Sequence, residues 1–120
     1  MINLEKEIRE QPEVLARISD ANKEEIRKLT LAAKQAGVKN ICFAARGTSD
    51  HASIYAQYLF AIYASVPCGL ATPSAVSKYG SKISYKDTLV IGVSQSGQAA
   101  DVLAVLRDAK SCGAITAAVT

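Results

Sequence analysis

The 120-residue sequence predicts an α/β fold in which helices cover both faces of a parallel sheet. Short apolar runs recur along the chain without polar alternation, which is typical of strands that are buried on both faces. Helical segments separate these runs, and this order favours right-handed crossovers between parallel strands. With 49% apolar and 21% charged residues, the composition is that of an ordinary globular domain.

Residues 1–37 predict a helical segment that precedes the sheet. Its apolar positions recur at helical spacing: Leu4, Ile8, Leu15 and Ile18. Pro12 interrupts this pattern and predicts a kink or the start of a new helix. Asp20 or Asn22 is a suitable cap for a second helix over about residues 22–36, and Gly37 is a suitable end for it.

The sheet and its covering helices are predicted in residues 38–120. The predicted strands are residues 40–47, 67–73, 87–94 and 113–120, and the predicted helices are residues 50–64, 74–79 and 99–112. The last strand ends the sequence, whereas an open parallel sheet normally has a further element to cover such a strand. We therefore expect a helical segment over 1–37 and an α/β domain over 38–120 that is truncated at its C-terminus.

The distribution of charges and cysteines indicates which partners and which cellular location to expect. The net charge of +3 comes from scattered Lys and Arg residues, so we expect no nucleic-acid partner. The apolar runs are too short to span a bilayer and the N-terminus has no signal core, so we expect no membrane partner. The three cysteines match neither a zinc site nor a disulfide framework, so we expect reduced thiols, no metal, and a cytoplasmic protein.

Two predicted strand ends carry similar polar residues directly before a helix. One is "ARGTSDH" at 45–51 and the other is "SQSGQ" at 94–98. Ligands of open α/β sheets bind beyond the carboxyl ends of the strands, and a helix N-terminus attracts anions. Ser94, Gln95, Ser96 and Gly97 therefore predict a cradle for a phosphate or another anion, although simple capping of the helix by the serines is an alternative. The motif lacks both the lysine of a P-loop and the G-x-G-x-x-G of a dinucleotide site.

These motifs resemble the sugar isomerase (SIS) family of phosphosugar-binding domains. The segments "ARGTSDHASIYAQYLF" (45–60), "ATPSAVSKYG" (71–80) and "VSQSGQAADVLAVLRDAKSCGA" (93–114) carry the resemblance. It implies a three-layer αβα sandwich with a flavodoxin-like sheet. It also implies a sugar phosphate ligand, with the following site residues: Gly47, Thr48, Ser49, Ser94, Gln95, Ser96, Gly97 and Ala99. Ala99 departs from the family pattern, because relatives usually have a Thr or Ser there that helps to hold the phosphate.

The resemblance implies the N-terminal SIS half of an enzyme similar to phosphosugar isomerases, deaminases and isomerising aminotransferases. Such enzymes act on amino sugar phosphates such as glucosamine 6-phosphate, or on fructose 6-phosphate. Their catalytic acid and base come from a second SIS half, so we expect no catalytic residue in this chain, no activity from it alone, no cofactor, and a homodimer. A non-catalytic module that senses phosphosugars is the alternative, although residues 1–37 contain no basic recognition helix.

The roles of three charged or titratable residues near the two motifs are considered last. Arg46 stands directly before Gly47, where it could approach an anion or form a surface ion pair. His51 is expected to shape the loop or face solvent. Asp101 is expected to favour the start of its helix through its charge.

Overall fold

The computed structural model describes residues 3–120, and it confirms the predicted α/β fold. The elements, in chain order, are α1 (Asn3–Gln35), β1 (Asn40–Ala45), α2 (Thr48–Leu59, followed by a π-helical turn over Phe60–Ala64), β2 (Cys68–Leu70), α3 (Pro73–Ser77), β3 (Thr88–Val93), α4 (Ala100–Ser111) and β4 (Ile115–Val119). The chain divides after Ala32 into two compact units. No helix in residues 3–120 has the length and apolar character needed to cross a membrane.

The predicted pair of N-terminal helices is wrong, since α1 is one continuous helix that includes Pro12. Asn22 does not cap a second helix, because its Nδ2 donates to the carbonyl oxygen of Ile18, 2.9 Å away within α1. Proline at position 12 lacks the N–H that would bond to the carbonyl of residue 8, but Ile8 is exposed and water can solvate that carbonyl. The predicted end is confirmed, because α1 stops at Gln35 and Gly37 adopts a left-handed φ of 69°.

The four strands form one parallel sheet in the order β2-β1-β3-β4. This is the predicted flavodoxin-like order, in which the chain moves outward from β1 in one direction and then in the other. In the central pair, Ala45 of β1 lies level with Val93 of β3. The carboxyl ends of β1 and β3 are therefore adjacent at the point where the strand order reverses, which is the ordinary ligand position in open α/β sheets.

Helices cover both faces of the sheet, which confirms the three-layer arrangement. Side chains of successive strand residues point to opposite faces. Ala44 and Val90 are fully buried in one cluster with Val105 of α4. Phe43 points to the other face, where its ring centroid lies 6.1 Å from that of Phe60 in the π-helical turn.

Gly92 of β3 permits the close approach of α4 to the sheet. A Cβ atom at this position would lie 2.7 Å from Cδ1 of Leu106 and 3.0 Å from Cγ1 of Val102. Both distances are shorter than the 3.5–4.0 Å or so at which carbon atoms pack best. Because Gly92 has no side chain, α4 and its N-terminus can lie this close to β3.

Candidate functional site

The loop after β1 leads directly into α2. Gly47 has φ 61° and ψ −133°, a backbone conformation that favours glycine. It precedes Thr48, where α2 begins, so Thr48 and Ser49 occupy the first turn of that helix. Backbone N–H groups in the first turn of a helix have no partner within the helix, and they carry a partial positive charge.

The loop after β3 is closed by its own serines. The Oγ of Ser94 accepts from the N–H of Gly97 at 3.1 Å, and the Oγ of Ser96 accepts from the N–H of Gln98 at 3.1 Å. The two hydroxyl oxygens lie 3.4 Å apart. Gly97 allows the turn through its left-handed φ of 69°.

The first turn of α4 is not capped by a side chain. Its N-cap residue is Ala99, whose methyl group cannot accept a hydrogen bond. The two serines bond N–H groups of the loop, so the capping alternative does not describe this geometry. A serine hydroxyl that accepts from a backbone N–H still has its own O–H to donate. The loop therefore presents hydroxyl donors beside free N–H groups of a 12-residue helix.

The two loops meet in an open pocket of about 350 Å³. The pocket is lined by Arg46, Thr48, Ser49, Val93, Ser94, Gln95, Ser96 and Ala99. It therefore brings together every predicted site residue except Gly47 and Gly97, which shape the two turns. The volume is within the range of small-ligand sites, at roughly 300–1,000 Å³.

Arg46 forms the surface ion pair that was one of the two interpretations left open by the sequence. Its Nη1 donates to Oδ2 of Asp101 at 2.5 Å, so it forms an ion pair between the loop after β1 and the first turn of α4. It also lines the pocket. Its place before Gly47 at the end of β1 was the only signal in the sequence for this role, and the predicted site residues did not include it.

The remaining titratable groups lie apart from the pocket lining. His51 is exposed in the first turn of α2, as expected for a residue that faces solvent. Burial raises the pKa of the Cys42 thiol in β1 and of the Cys68 thiol in β2. Within residues 3–120, no three His, Cys, Asp or Glu side chains are grouped so that they could hold a metal ion.

The fold and this pocket define a member of a known family. The family model described as "SIS domain" matches residues 35–120. The chain therefore belongs to the SIS domain family.

Its curated relatives include several isomerising aminotransferases. The chain is 38% identical over 121 residues to a glutamine–fructose-6-phosphate aminotransferase of Halobacterium salinarum, with 96% of this chain and 20% of that protein covered. It is 41% identical over 108 residues to the corresponding protein of Acinetobacter baylyi, with 86% of this chain and 18% of that protein covered. The chain thus spans about a fifth of the length of these relatives.

Solved structures of phosphosugar proteins share the fold. A candidate phosphosugar isomerase from Silicibacter pomeroyi is 29% identical, has a TM-score of 0.86, and aligns with 94% of this chain over 35% of its own. The C-terminal domain of a glucosamine–fructose-6-phosphate aminotransferase from Francisella tularensis is 31% identical, has a TM-score of 0.61, and aligns with 73% of this chain over 25% of its own.

Proposed function

We propose that this chain binds the phosphate group of a sugar phosphate in the pocket between the carboxyl ends of β1 and β3. The observation that carries the proposal is that two helix N-termini, together with hydroxyl groups from two separate segments of the chain, line one pocket. Membership of the SIS family supports the same ligand class, because structural relatives are named as phosphosugar proteins.

The phosphate is held mainly by neutral donors. N–H groups at the start of α4 point at the anion, and the positive end of the helix dipole favours its charge. Ser94 and Ser96 donate their hydroxyl protons while their oxygens keep the loop closed. Thr48 and Ser49 approach from the start of α2 and contact the phosphate or the sugar hydroxyls. Gln95 adds an amide donor on the same wall.

The pocket belongs, in this proposal, to the N-terminal SIS half of an aldose–ketose isomerase or deaminase. The substrate is an amino sugar phosphate such as glucosamine 6-phosphate, or fructose 6-phosphate, the sugar in the names of the aminotransferase relatives. The proposed division is an N-terminal helical segment up to residue 37 and a SIS domain over residues 38–120. The proton transfers of isomerisation need an acid and a base, which a second SIS half supplies, so this chain alone binds the substrate without turning it over.

A sensing module without catalysis is the second candidate function, and α1 does not favour it. The charges of α1 are balanced in exposed pairs along the helix, including Arg9 with Glu5 and Arg17 with Glu13. A DNA-reading helix carries instead a basic face toward the phosphate backbone.

The chain is proposed to act as a homodimer. The outer face of α2 and its π-helical turn exposes a run of large apolar side chains: Tyr55, Tyr58, Ile62 and Tyr63. A contiguous exposed patch of this kind commonly marks a protein interface. A second copy of the chain is the partner that the family resemblance implies.

The proposal is tested by replacing both loop serines, Ser94→Ala with Ser96→Ala. Loss of two hydrogen bonds to a charged ligand, at about 1.5 kcal/mol or more each, weakens binding of glucosamine 6-phosphate by at least about 150-fold. Calorimetry measures the affinity, and amide NMR shows whether the ligand-induced shifts fall on Thr48, Ser49 and residues 94–99. Ser111→Ala, at the other end of α4, is the matched control and keeps full affinity. Unchanged affinity in the double variant contradicts the proposed site.

A further inference from the structure

We propose that Arg46 strengthens the selection of the pocket for charge, because its guanidinium favours phosphorylated ligands over uncharged ones. This inference rests on the proposed phosphate site and names a group that contributes to its specificity. Arg46 is placed there by its position at the end of β1 and by its contact with the start of α4.

Arg46 is the one charged side chain among the described residues that line the pocket. The other polar groups on the wall are hydroxyls and an amide, which are neutral donors and acceptors. Hydroxyl oxygens of an uncharged sugar can also accept from such donors, but an ionised phosphate oxygen accepts more strongly. The helix N-termini favour an anion through partial charges, and the guanidinium of Arg46 adds the one full positive charge among the lining side chains, which favours a phosphate over an uncharged group.

The ion pair with Asp101 leaves this guanidinium free to act. The bond from Nη1 to Oδ2 of Asp101 uses one of the five N–H donors of the group. The Arg46 side chain remains 56% exposed and lines the pocket. A planar guanidinium can bind two anions at once through different edges. Arg46 can therefore reach a phosphate while it stays on Asp101 or after it leaves it.

Asp101 does not line the pocket. Variants of Arg46 and of Asp101 can therefore distinguish an effect of Arg46 on the ligand from a purely structural effect of the ion pair. If Arg46 acts on the ligand, removing Arg46 weakens binding while removing Asp101 does not. If Arg46 only ties the loop after β1 to α4, either removal breaks the same link and the two variants behave alike.

The experiment measures the affinity of the 120-residue chain for inorganic phosphate, for glucosamine 6-phosphate and for fructose, an uncharged sugar, by calorimetry at several salt concentrations. Arg46→Ala is expected to weaken binding of the two phosphates at least about tenfold, the low end of the value of one hydrogen bond to a charged group, and to leave the affinity for fructose unchanged. It is also expected to make the affinity depend less on salt concentration. Salt screens the attraction between Arg46 and the phosphate, and this variant lacks that attraction. Asp101→Ala, which removes the acceptor for Arg46, is expected to change affinity by less than about fivefold, the most that an exposed ion pair is worth.

Two further variants complete the design. Arg107→Ala removes an exposed positive charge from α4 outside the pocket lining, and it is expected to leave affinity and salt dependence unchanged. Arg46→Lys keeps the charge without the planar fork, and it is expected to keep the salt dependence that Arg46→Ala loses. Should Arg46→Ala fail to fold, which the amide spectrum shows directly, Arg46→Gln takes its place, because it keeps a long polar side chain without the charge and is expected to show the same losses.

The outcomes separate this inference from the proposed function. Equal losses in Arg46→Ala and Asp101→Ala, or no loss in Arg46→Ala, overturn the role of Arg46. If the serine double variant then still weakens binding, the phosphate site itself stands. Should the unmodified chain bind neither phosphate nor glucosamine 6-phosphate, the proposed function fails and this inference fails with it.

Discussion

Gly92→Ala tests whether the close packing of α4 on β3 holds the fold together. The added Cβ atom would lie 2.7 Å from Cδ1 of Leu106, 3.2 Å from its Cγ and 3.0 Å from Cγ1 of Val102. The end of the leucine side chain can rotate away, but the β-branched Val102 is stiff and fully packed. The helix must therefore shift, and overpacking of this kind costs about 1–3 kcal/mol of the free energy of unfolding.

Urea unfolding followed by circular dichroism measures the effect, and thermal unfolding gives a second value. A loss of about 2 kcal/mol lowers the midpoint by about 8–16 °C in a domain of this size. Gly69→Ala is the matched control, because Gly69 is also a strand glycine and nothing lies within 4 Å of its added Cβ. That control should be unchanged or up to about 1 kcal/mol more stable. If Gly92→Ala is as stable as Gly69→Ala, the packing argument is refuted.

Two further predictions concern the start of α4 and the assembly of the chain. Ala99→Thr places a hydroxyl at the uncapped N-terminus of α4, so it should raise the free energy of unfolding by about 1 kcal/mol. The same hydroxyl can donate to the phosphate and should tighten binding about fivefold in calorimetry; unchanged stability and unchanged affinity would contradict it. Light scattering should give twice the 12.7 kDa mass of one chain, and Tyr58→Asp in the exposed patch should give the mass of one. A monomer mass for the unmodified chain would contradict the proposed dimer.

Local sequence was sufficient to predict the sheet and the polar loops. Apolar runs without alternation predict buried parallel strands because both strand faces meet helices, and the four runs do contain β1 to β4. Topology then places the loops after β1 and β3 side by side, because parallel strands end at one edge. The pocket lining Thr48, Ser49, Ser94, Gln95, Ser96 and Ala99 follows from that placement.

Features that depend on distant contacts could not be predicted in this way. The Arg46–Asp101 pair joins residues that are 55 positions apart, and its partners become evident only when α4 is placed against β3. The need for glycine at position 92 comes from Leu106 and Val102, which its sequence neighbours do not reveal. The break predicted near Asn22 failed because an exposed asparagine can bond backward within its helix as readily as it can begin a new one.

Because the pocket lies between the ends of the adjacent strands β1 and β3, ligand binding reports whether the chain has the correct strand order and register. The two halves of the pocket are contributed by segments about 45 residues apart, and only the register that sets Ala45 beside Val93 brings them together. Neither segment as a peptide would retain the pocket, and a strand slipped by one residue would dismantle it. Pairing over such a separation forms slowly, since loop closure precedes the contacts that reward it. A ligand at a hundred times its dissociation constant would then stabilise the chain with the correct strand order and register by about 2.7 kcal/mol over conformations that lack the pocket.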